Sequence, residues 1–410
     1  MRRISLLAIV LITILSACVS TPDDIELLPS GETPFAFPPP STSTTTSKPK
    51  PTVELPTATG SIGDIKRGKL FHEAVRLSSV IVSPTLIDSR YNSGAWGAVL
   101  MYRPDTIGDS ITPTDGMLDA VLRDYGYVTG ARIEREPSGD STISVLLQDM
   151  VLIFKDDPSA AAATEVGFRL RDEQSSGTNK RVRPIEIPDF PQAKAYAERT
   201  NGTDAGATIA YVQRGPVVVR IATHSIPDDE AAKTISRYLA SQLSTLERFA
   251  PTPVDKLSSL TPPFDPDGSL LKLASDSTTV NPLGIGGVFD TNGALLRQDD
   301  FQGWSEVYEA SGVDRLMVSD TGEVIRAADE SGATRVLAKA RPEFVARKGY
   351  KPTGPPPTLP SADCIQYVSS APDDDPLRRC LFTRGRYVTW VEGKQSVLGQ
   401  RVQDQWNRLG

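Results

Sequence analysis

The sequence predicts an α+β protein of two domains with similar element order, each a mainly antiparallel sheet covered by helices. A signal peptide and a disordered tether precede them. Three observations carry this reading. Apolar, β-branched runs come in pairs joined by short turns, the pattern of hairpins. Between them lie stretches with apolar residues at helical spacing. The order helix, hairpin, helix, hairpin around Arg-Gly, helix occurs before residue 250 and again after residue 285. Hairpins joined by short turns give antiparallel sheets.

The chain begins with Met1-Arg2-Arg3 and an apolar run from Ile4 to Leu15. That run has the length of a signal h-region and is too short for a span of ~20 residues. Leu15-Ser16-Ala17-Cys18 follows as a lipobox. Residues 1–17 therefore read as a lipoprotein signal peptide, and Cys18 as the lipidated first residue of the mature chain. Two or three acyl chains on one cysteine anchor stably where a single chain is marginal.

Residues 18–62 form the tether. Pro38 to Ser47 and Lys48-Pro49-Lys50-Pro51 are rich in Pro, Ser and Thr and bury little apolar surface. Extended polyproline II would carry the body up to ~140 Å from the bilayer. The Thr run is a candidate for O-glycosylation, and a plain linker is the equal alternative.

The first domain is expected over 63–250. A helix is read from Asp115 to Tyr125. Tyr127–Glu134 and Thr142–Phe154 form a hairpin over Pro137-Ser138-Gly139-Asp140. Asp157-Pro158 starts a helix running to Asp172, with Asp as cap and Pro at the first position. Ala207–Gln213 and Pro216–Thr223 pair around Arg214-Gly215. From Asp229 to Phe249 a stripe of Ile235, Leu239, Leu243, Leu246 and Phe249 marks an amphipathic helix.

Residues 251–284 read as an interdomain connector. Asp265-Pro266-Asp267-Gly268 lacks the full spacing of a calcium loop and reads as a turn. The second domain is expected over 285–410. Its helices are Asp300–Ala310, Ser331–Lys339 and Gln395–Leu409. Its strands are Val313–Val318, Glu323–Ala328, Cys364–Val368, Arg379–Thr383 and Arg386–Val391. A Pro-rich loop, Pro352 to Pro360, precedes Cys364, and Arg384-Gly385 turns the last hairpin. Each final helix carries a Gln near its end, Gln242 and Gln405, which suggests internal duplication.

Composition bounds the function. Charged residues at 23% and hydrophobic ones at 39% are ordinary for a globular chain. Net charge is -7, and loss of residues 1–17, which carry Arg2, Arg3 and no acid, brings the mature chain to -9. That argues against nucleic acid as a partner, which needs a basic face, and against general adhesion to anionic lipid. The membrane is engaged through Cys18. With Cys18 acylated, Cys364 and Cys380 remain as one pair, which reads as a disulfide outside the cytoplasm.

The lipobox, the tether, Pro251-Thr252-Pro253, Asp265-Pro266-Asp267-Gly268 and Cys364 with Cys380-Leu381-Phe382-Thr383-Arg384-Gly385-Arg386-Tyr387-Val388 together resemble a known group. It is the uncharacterised two-domain envelope lipoproteins of mycobacteria, nocardiae and rhodococci. The resemblance covers most of the chain after the tether and implies an envelope protein of two related domains. It brings no catalytic residue. A looser similarity is to extracellular sensor domains of mycobacterial serine/threonine kinases, an analogy of fold alone.

No nucleophile elbow, Walker loop or zinc-protease helix is present. The two histidines, His72 and His224, read as packed or solvated. His72 and Glu73 are sequence neighbours, which point apart on a helix. The acidic pairs Asp228-Asp229, Asp299-Asp300 and Asp373-Asp374-Asp375 sit at helix starts or loops, where the dipole favours acids. Gly284-Ile285-Gly286-Gly287 lacks a strand-then-helix setting. No catalytic, cofactor-binding or metal residue is assigned. The reading is a lipid-anchored protein on the extracytoplasmic face of the cell membrane, binding a lipid, glycan, peptide or envelope protein without turnover. A carboxylate-dependent envelope hydrolase is the alternative, and a structural spacer the third.

Overall fold

A computed structural model describes residues 56–94, 98–100, 124–137, 146–175, 180–200, 206–273, 287–319, 321–369 and 375–410. Cys18, most of the expected Asp115–Tyr125 helix, the Ser138–Asp140 turn, Gly284–Gly286 and the pair Asp373-Asp374 lie outside them. Residues 53–410 form one compact unit.

The fold is α+β, with two antiparallel sheets. The first is built from β1 (Ala98–Leu100), β2 (Tyr127–Arg135), β3 (Leu146–Phe154), β4 (Lys180–Pro184), β5 (Lys194–Thr200), β6 (Gly206–Arg214) and β7 (Val217–His224). The second is built from β8 (Gly287–Phe289), β9 (Arg315–Ser319), β10 (Gly322–Arg326), β11 (Tyr350–Thr353), β12 (Asp363–Tyr367), β13 (Leu377–Arg384) and β14 (Tyr387–Lys394). The spatial orders are β1-β2-β3-β7-β6-β5-β4 and β8-β9-β10-β14-β13-β12-β11. Each strand of one sheet has a counterpart at the same place in the other.

The helices are α1 (Arg67–Ser78), α2 (Pro84–Ile87), α3 (Asp157–Ser175), α4 (Asp228–Thr245), α5 (Val254–Leu257), α6 (Thr291–Leu296), α7 (Phe301–Ser311), α8 (Glu330–Val345) and α9 (Gln395–Leu409). Helix α3 follows β3 as α8 follows β10. Helix α4 follows β7 as α9 follows β14. Carboxylates start three of them: Asp290, Asp300 and Asp329 accept from the amides of Gly293, Gly303 and Gly332 at α6, α7 and α8.

The equivalence extends to side chains. Gly215 and Gly385 take φ of 57° and 53° in the two Arg-Gly hairpins, a region glycine enters without Cβ strain. The arginine before each reaches the end of the final helix of its half. Arg214 Nη1 donates to the Leu243 carbonyl of α4 at 2.5 Å, and Arg384 Nη1 to the Trp406 carbonyl of α9. Each supplies a cationic donor to carbonyls left open at a helix C-terminus. The glutamines also correspond. Gln242 Nε2 donates to Val80 O at 3.0 Å while its Oε1 accepts from Val82 N at 2.8 Å. Gln405 Nε2 donates to Leu273 O at 2.7 Å.

Strand β3 is buried along its whole length, so both faces of the first sheet are covered. Met150, Leu152 and Phe154 meet Ala160, Ala163 and Val166 of α3. Leu147, Val151 and Ile153 face α1 and α4, through Leu70, Ile235 and Leu239. That second cluster continues into the other half, through Phe289, Leu296, Trp304, Leu316, Ala333 and Val388. On the far side of the second sheet, Leu398 and Val402 of α9 pack on Cys380, Phe382 and Val391. The shared core thus joins the face under the last helix of the first half to the face under the middle helix of the second. The halves stack head to tail, and nonequivalent faces meet.

Several elements differ from expectation. Strands β1, β4, β5, β8 and β11 were not read from the sequence. They lie at or beside the sheet edges, and three of them, KRVRP, KAYAERT and YKPT, carry charge or proline in place of a clean alternation. Part of the Pro-rich stretch is thus strand β11, on an edge where proline breaks no inner ladder. Helix α8 runs on through Pro342 to Val345. The stretch after 250 is packed: Leu257 and Leu270 are buried, and Asp265 accepts from the amides of Leu270 and Leu271 at 3.0 and 2.8 Å. Asp265 to Gly268 closes as a turn, Gly268 N to Asp265 O at 3.0 Å. The last residues ascribed to the tether also touch the body, Pro56 O accepting from Tyr125 Oη at 2.7 Å.

Candidate functional site

The residues singled out by sequence are held apart, and most have structural partners. Cys364 and Cys380 face each other across β12 and β13 and form a disulfide with S–S 2.03 Å. His72 lies half-buried on α1. Burial and the Lys69 ammonium lower its pKa, against the Leu260 carbonyl. Glu73 is fully buried and accepts from Thr252 N at 2.8 Å and Thr252 Oγ1 at 2.9 Å. It ties α1 to Pro251-Thr252-Pro253 and is no acid/base partner for His72. His224 ends β7, paired with Leu146 of β3 and Ala207 of β6.

The acidic pairs serve helix starts and ion pairs. Asp228 accepts from Arg183 and Arg199 at the start of α4. Asp300 caps α7 and also accepts from Asn92 Nδ2 at 3.0 Å and Lys339 Nζ at 2.7 Å. Partial burial pushes its carboxyl up, but the Lys339, Gly303 and Asn92 donors outweigh that and bring it down to about 2. Asp375 receives Ser396 N at 2.8 Å and Ser396 Oγ at 2.7 Å at the start of α9. Among the described residues no group of three His, Cys, Asp or Glu side chains is placed to hold a metal ion.

The group that stands out was not singled out by sequence. Asp149, in the middle of β3, is 0% exposed, and neither carboxylate oxygen has a hydrogen-bond partner among the described residues. Strand register places it opposite Ile133 of β2 and Ile221 of β7. Alternation turns it to the shared core with Leu147 and Val151. Arg135 and Thr223, both opposite Leu147, are its diagonal neighbours on the two flanking strands. Tyr238 of α4 completes the cluster, its hydroxyl donating to the Val82 carbonyl.

Burial drives the electrostatics. It pushes the Asp149 carboxyl well above the usual carboxylate range. It also raises the Tyr238 phenol, helped by Asp149 and opposed by Arg135. Arg135 is likewise 0% exposed. Its Nη1 donates to Asp299 O at 3.0 Å and its Nη2 to Leu296 O at 3.1 Å. A strand of the first half therefore supplies a cation to the carbonyl end of α6 in the second. Asn92 and Asn292 cross the same seam. Asn92 Oδ1 accepts from Gln302 N at 3.1 Å, and Asn292 Nδ2 donates to Ser78 O and Ile81 O at 2.8 and 3.0 Å.

The opposite face of β2 and β3 carries a second buried polar network. Arg132 pairs with Glu134, Gln148 Nε2 donates to Glu134 Oε2 at 2.9 Å, and Arg220 donates to Gln148 Oε1. The signal for both centres was in the sequence: Gln148-Asp149 interrupts an otherwise apolar strand, a place where Asp is disfavoured. Asp149 is a carboxyl group enclosed by the core, where burial favours its protonated form. Such a group ties the stability of the fold to pH.

Comparisons with known proteins set these findings in a family. The extracellular domain of PknH from Mycobacterium tuberculosis is similar at 14% identity, over 41% of this chain and 95% of that one. Its TM-score of 0.28 carries no argument about function. No curated protein matches the sequence. Residues 62–262 match the N-terminal domain of unknown function DUF7373, and residues 270–405 match its C-terminal counterpart. Two matched stretches in that order span most of the described body, and the chain belongs to the two-domain DUF7373 family.

Proposed function

We propose that this chain is a lipid-anchored, extracytoplasmic envelope protein that binds a lipid, glycan, peptide or protein partner without turning it over. The reading includes acylation at Cys18, a tether through the envelope, and kinship with actinobacterial envelope lipoproteins. The Cys364–Cys380 disulfide supports an oxidising compartment. No described helix is long and apolar enough to cross a membrane.

One observation favours binding over hydrolysis. A carboxylate hydrolase needs two carboxyl groups facing each other across an open site. Here Asp228, Asp300 and Asp375 are engaged in caps and ion pairs, and the unpartnered carboxyl of Asp149 is sealed in the core. The test is native mass spectrometry of the mature chain isolated from an exporting host. A retained non-covalent mass, an acyl mass on the Cys18 peptide and no products from envelope lipids or glycans are expected. Turnover that disappears when one acidic residue is replaced would overturn the reading.

A further inference from the structure

Buried polar side chains are almost always hydrogen-bonded, and two that are not stand side by side in the first sheet. Neither carboxyl oxygen of Asp149 on β3 has a partner among the described residues, nor does the hydroxyl of Thr223 on β7, which is 1% exposed. Asp149 lies opposite Ile221 and Thr223 opposite Leu147, so the two share one face of one strand pair and are diagonal to each other. Cα atoms in diagonal positions are about 7–8 Å apart. Both side chains are short, and they do not bond each other. Polar groups at such a spacing are commonly joined by a molecule between them.

The polar line continues toward the surface. Thr208 of β6 is buried directly opposite Thr223. Its hydroxyl accepts from Arg199 Nη2 at 3.0 Å and donates to Asp228 Oδ1 at 3.4 Å. Asp228 begins α4 and also accepts from Arg183, whose side chain is 60% exposed. Asp149, Thr223, Thr208 and Asp228 therefore set a row of oxygens from the shared core to the start of α4. The positions beside Asp149 and Thr223 are apolar: Ile133, Leu147, Val151 and Ile221 all belong to the shared core.

We propose that Asp149 and Thr223 form an internal water-binding site, in which a bound water bridges β3 and β7 inside the shared core. The chemistry selects water. A carboxyl and a hydroxyl between them need a ligand that both donates and accepts, and water does both whichever form the carboxyl takes. One carboxyl and one hydroxyl are too few oxygens for a calcium ion, and the Arg135 guanidinium, on the other diagonal from Asp149, opposes any cation. The carboxyl in turn opposes an anion. Waters that bridge otherwise unpaired groups in this way are held as part of the fold. The site is independent of the binding reading above, and neither depends on the other.

The test uses the mature chain from residue 19 without its acyl group. Oxygen-17 relaxation dispersion of the solvent counts internal waters that exchange more slowly than the protein tumbles. Asp149→Leu with Thr223→Val should lose at least one of them, and Asp149→Asn, which keeps a donor and an acceptor, should lose none. A double-mutant cycle in urea supplies the second readout. Thr223→Val alone should lower the folding equilibrium constant about tenfold, because the water and Asp149 lose a buried partner. Made in Asp149→Leu, the same change should leave the constant within about twofold, since an apolar pair of similar shape needs no partner. Circular dichroism checks that each variant folds, and Asp149→Asn with Thr223→Ser carries the comparison if the apolar pair does not. An unchanged water count in the double variant overturns the inference, and coupling without that loss would mean that Asp149 and Thr223 bond directly. A falling count with equal effects of Thr223→Val in both backgrounds places the water on one residue alone and overturns the bridge. Stability that differs between sodium and potassium chloride at equal ionic strength would put an ion there and overturns it too.

Discussion

The two halves of this molecule share a strand order and differ in where they keep their polar groups. The first sheet buries polar groups on both faces, with Asp149, Arg135 and Tyr238 toward the shared core and Arg132, Glu134, Gln148 and Arg220 toward α3. The second sheet places its disulfide and apolar residues under α9, and its central strands carry Arg379, which pairs with Glu392 and lies over the rings of Tyr350 and Trp390. Identical wiring therefore does not impose identical chemistry. Head-to-tail stacking explains part of the difference. Arg135 is needed where the first sheet meets the carbonyl end of α6.

The largest expected effect is at that seam. Arg135→Ala leaves the Leu296 and Asp299 carbonyls without their buried donor and opens a cavity, and should cost about 4 kcal/mol in urea unfolding. A loss below 1 kcal/mol would mean that Arg135 does little to hold the halves together. Replacing Cys364 and Cys380 together by Ala should cost about 3 kcal/mol, because the bridge spans a sequence separation of 16. If the loss appears as a separate early transition, the second half unfolds on its own; a single shifted transition supports the shared core.

The paired glutamines sharpen the comparison at smaller scale. Gln242→Ala breaks bonds to both Val80 O and Val82 N and should cost about 2 kcal/mol, against about 1 kcal/mol for Gln405→Ala. Equal losses would show that the two final helices are seated alike despite the different bond counts.

The fold was legible where periodicity was strong. The stripe on α4, the apolar run of β3 and the Arg-Gly hairpins all have the surroundings their patterns imply. Edge strands were not legible, because Lys180–Pro184 and Tyr350–Thr353 bury little and alternate poorly. The buried polar centres escaped for another reason. Period-two alternation tells which face Asp149 takes, yet not that Arg135 and Tyr238 lie near it, since those neighbours come from strand register and helix placement. The glutamines were visible as a coincidence of position, and only the geometry gives them a shared role.

The buried carboxyl of Asp149 ties the stability of the described body to pH, and that claim can be measured directly. The folded state holds the Asp149 proton more tightly than the unfolded chain does. Its contribution is therefore full below about pH 4, where both states are protonated, and declines as pH rises and only the unfolded chain ionises. Asp149→Asn removes this linkage while keeping the shape. Urea unfolding of wild type and Asp149→Asn across the acid to neutral range is the direct test. The two should agree within about 1 kcal/mol at acid pH. The variant should then gain on wild type as pH rises, by up to about 1.4 kcal/mol per pH unit. Parallel curves at every pH would contradict the claim and mean that Asp149 is ionised in the folded protein, with a partner and a role of its own.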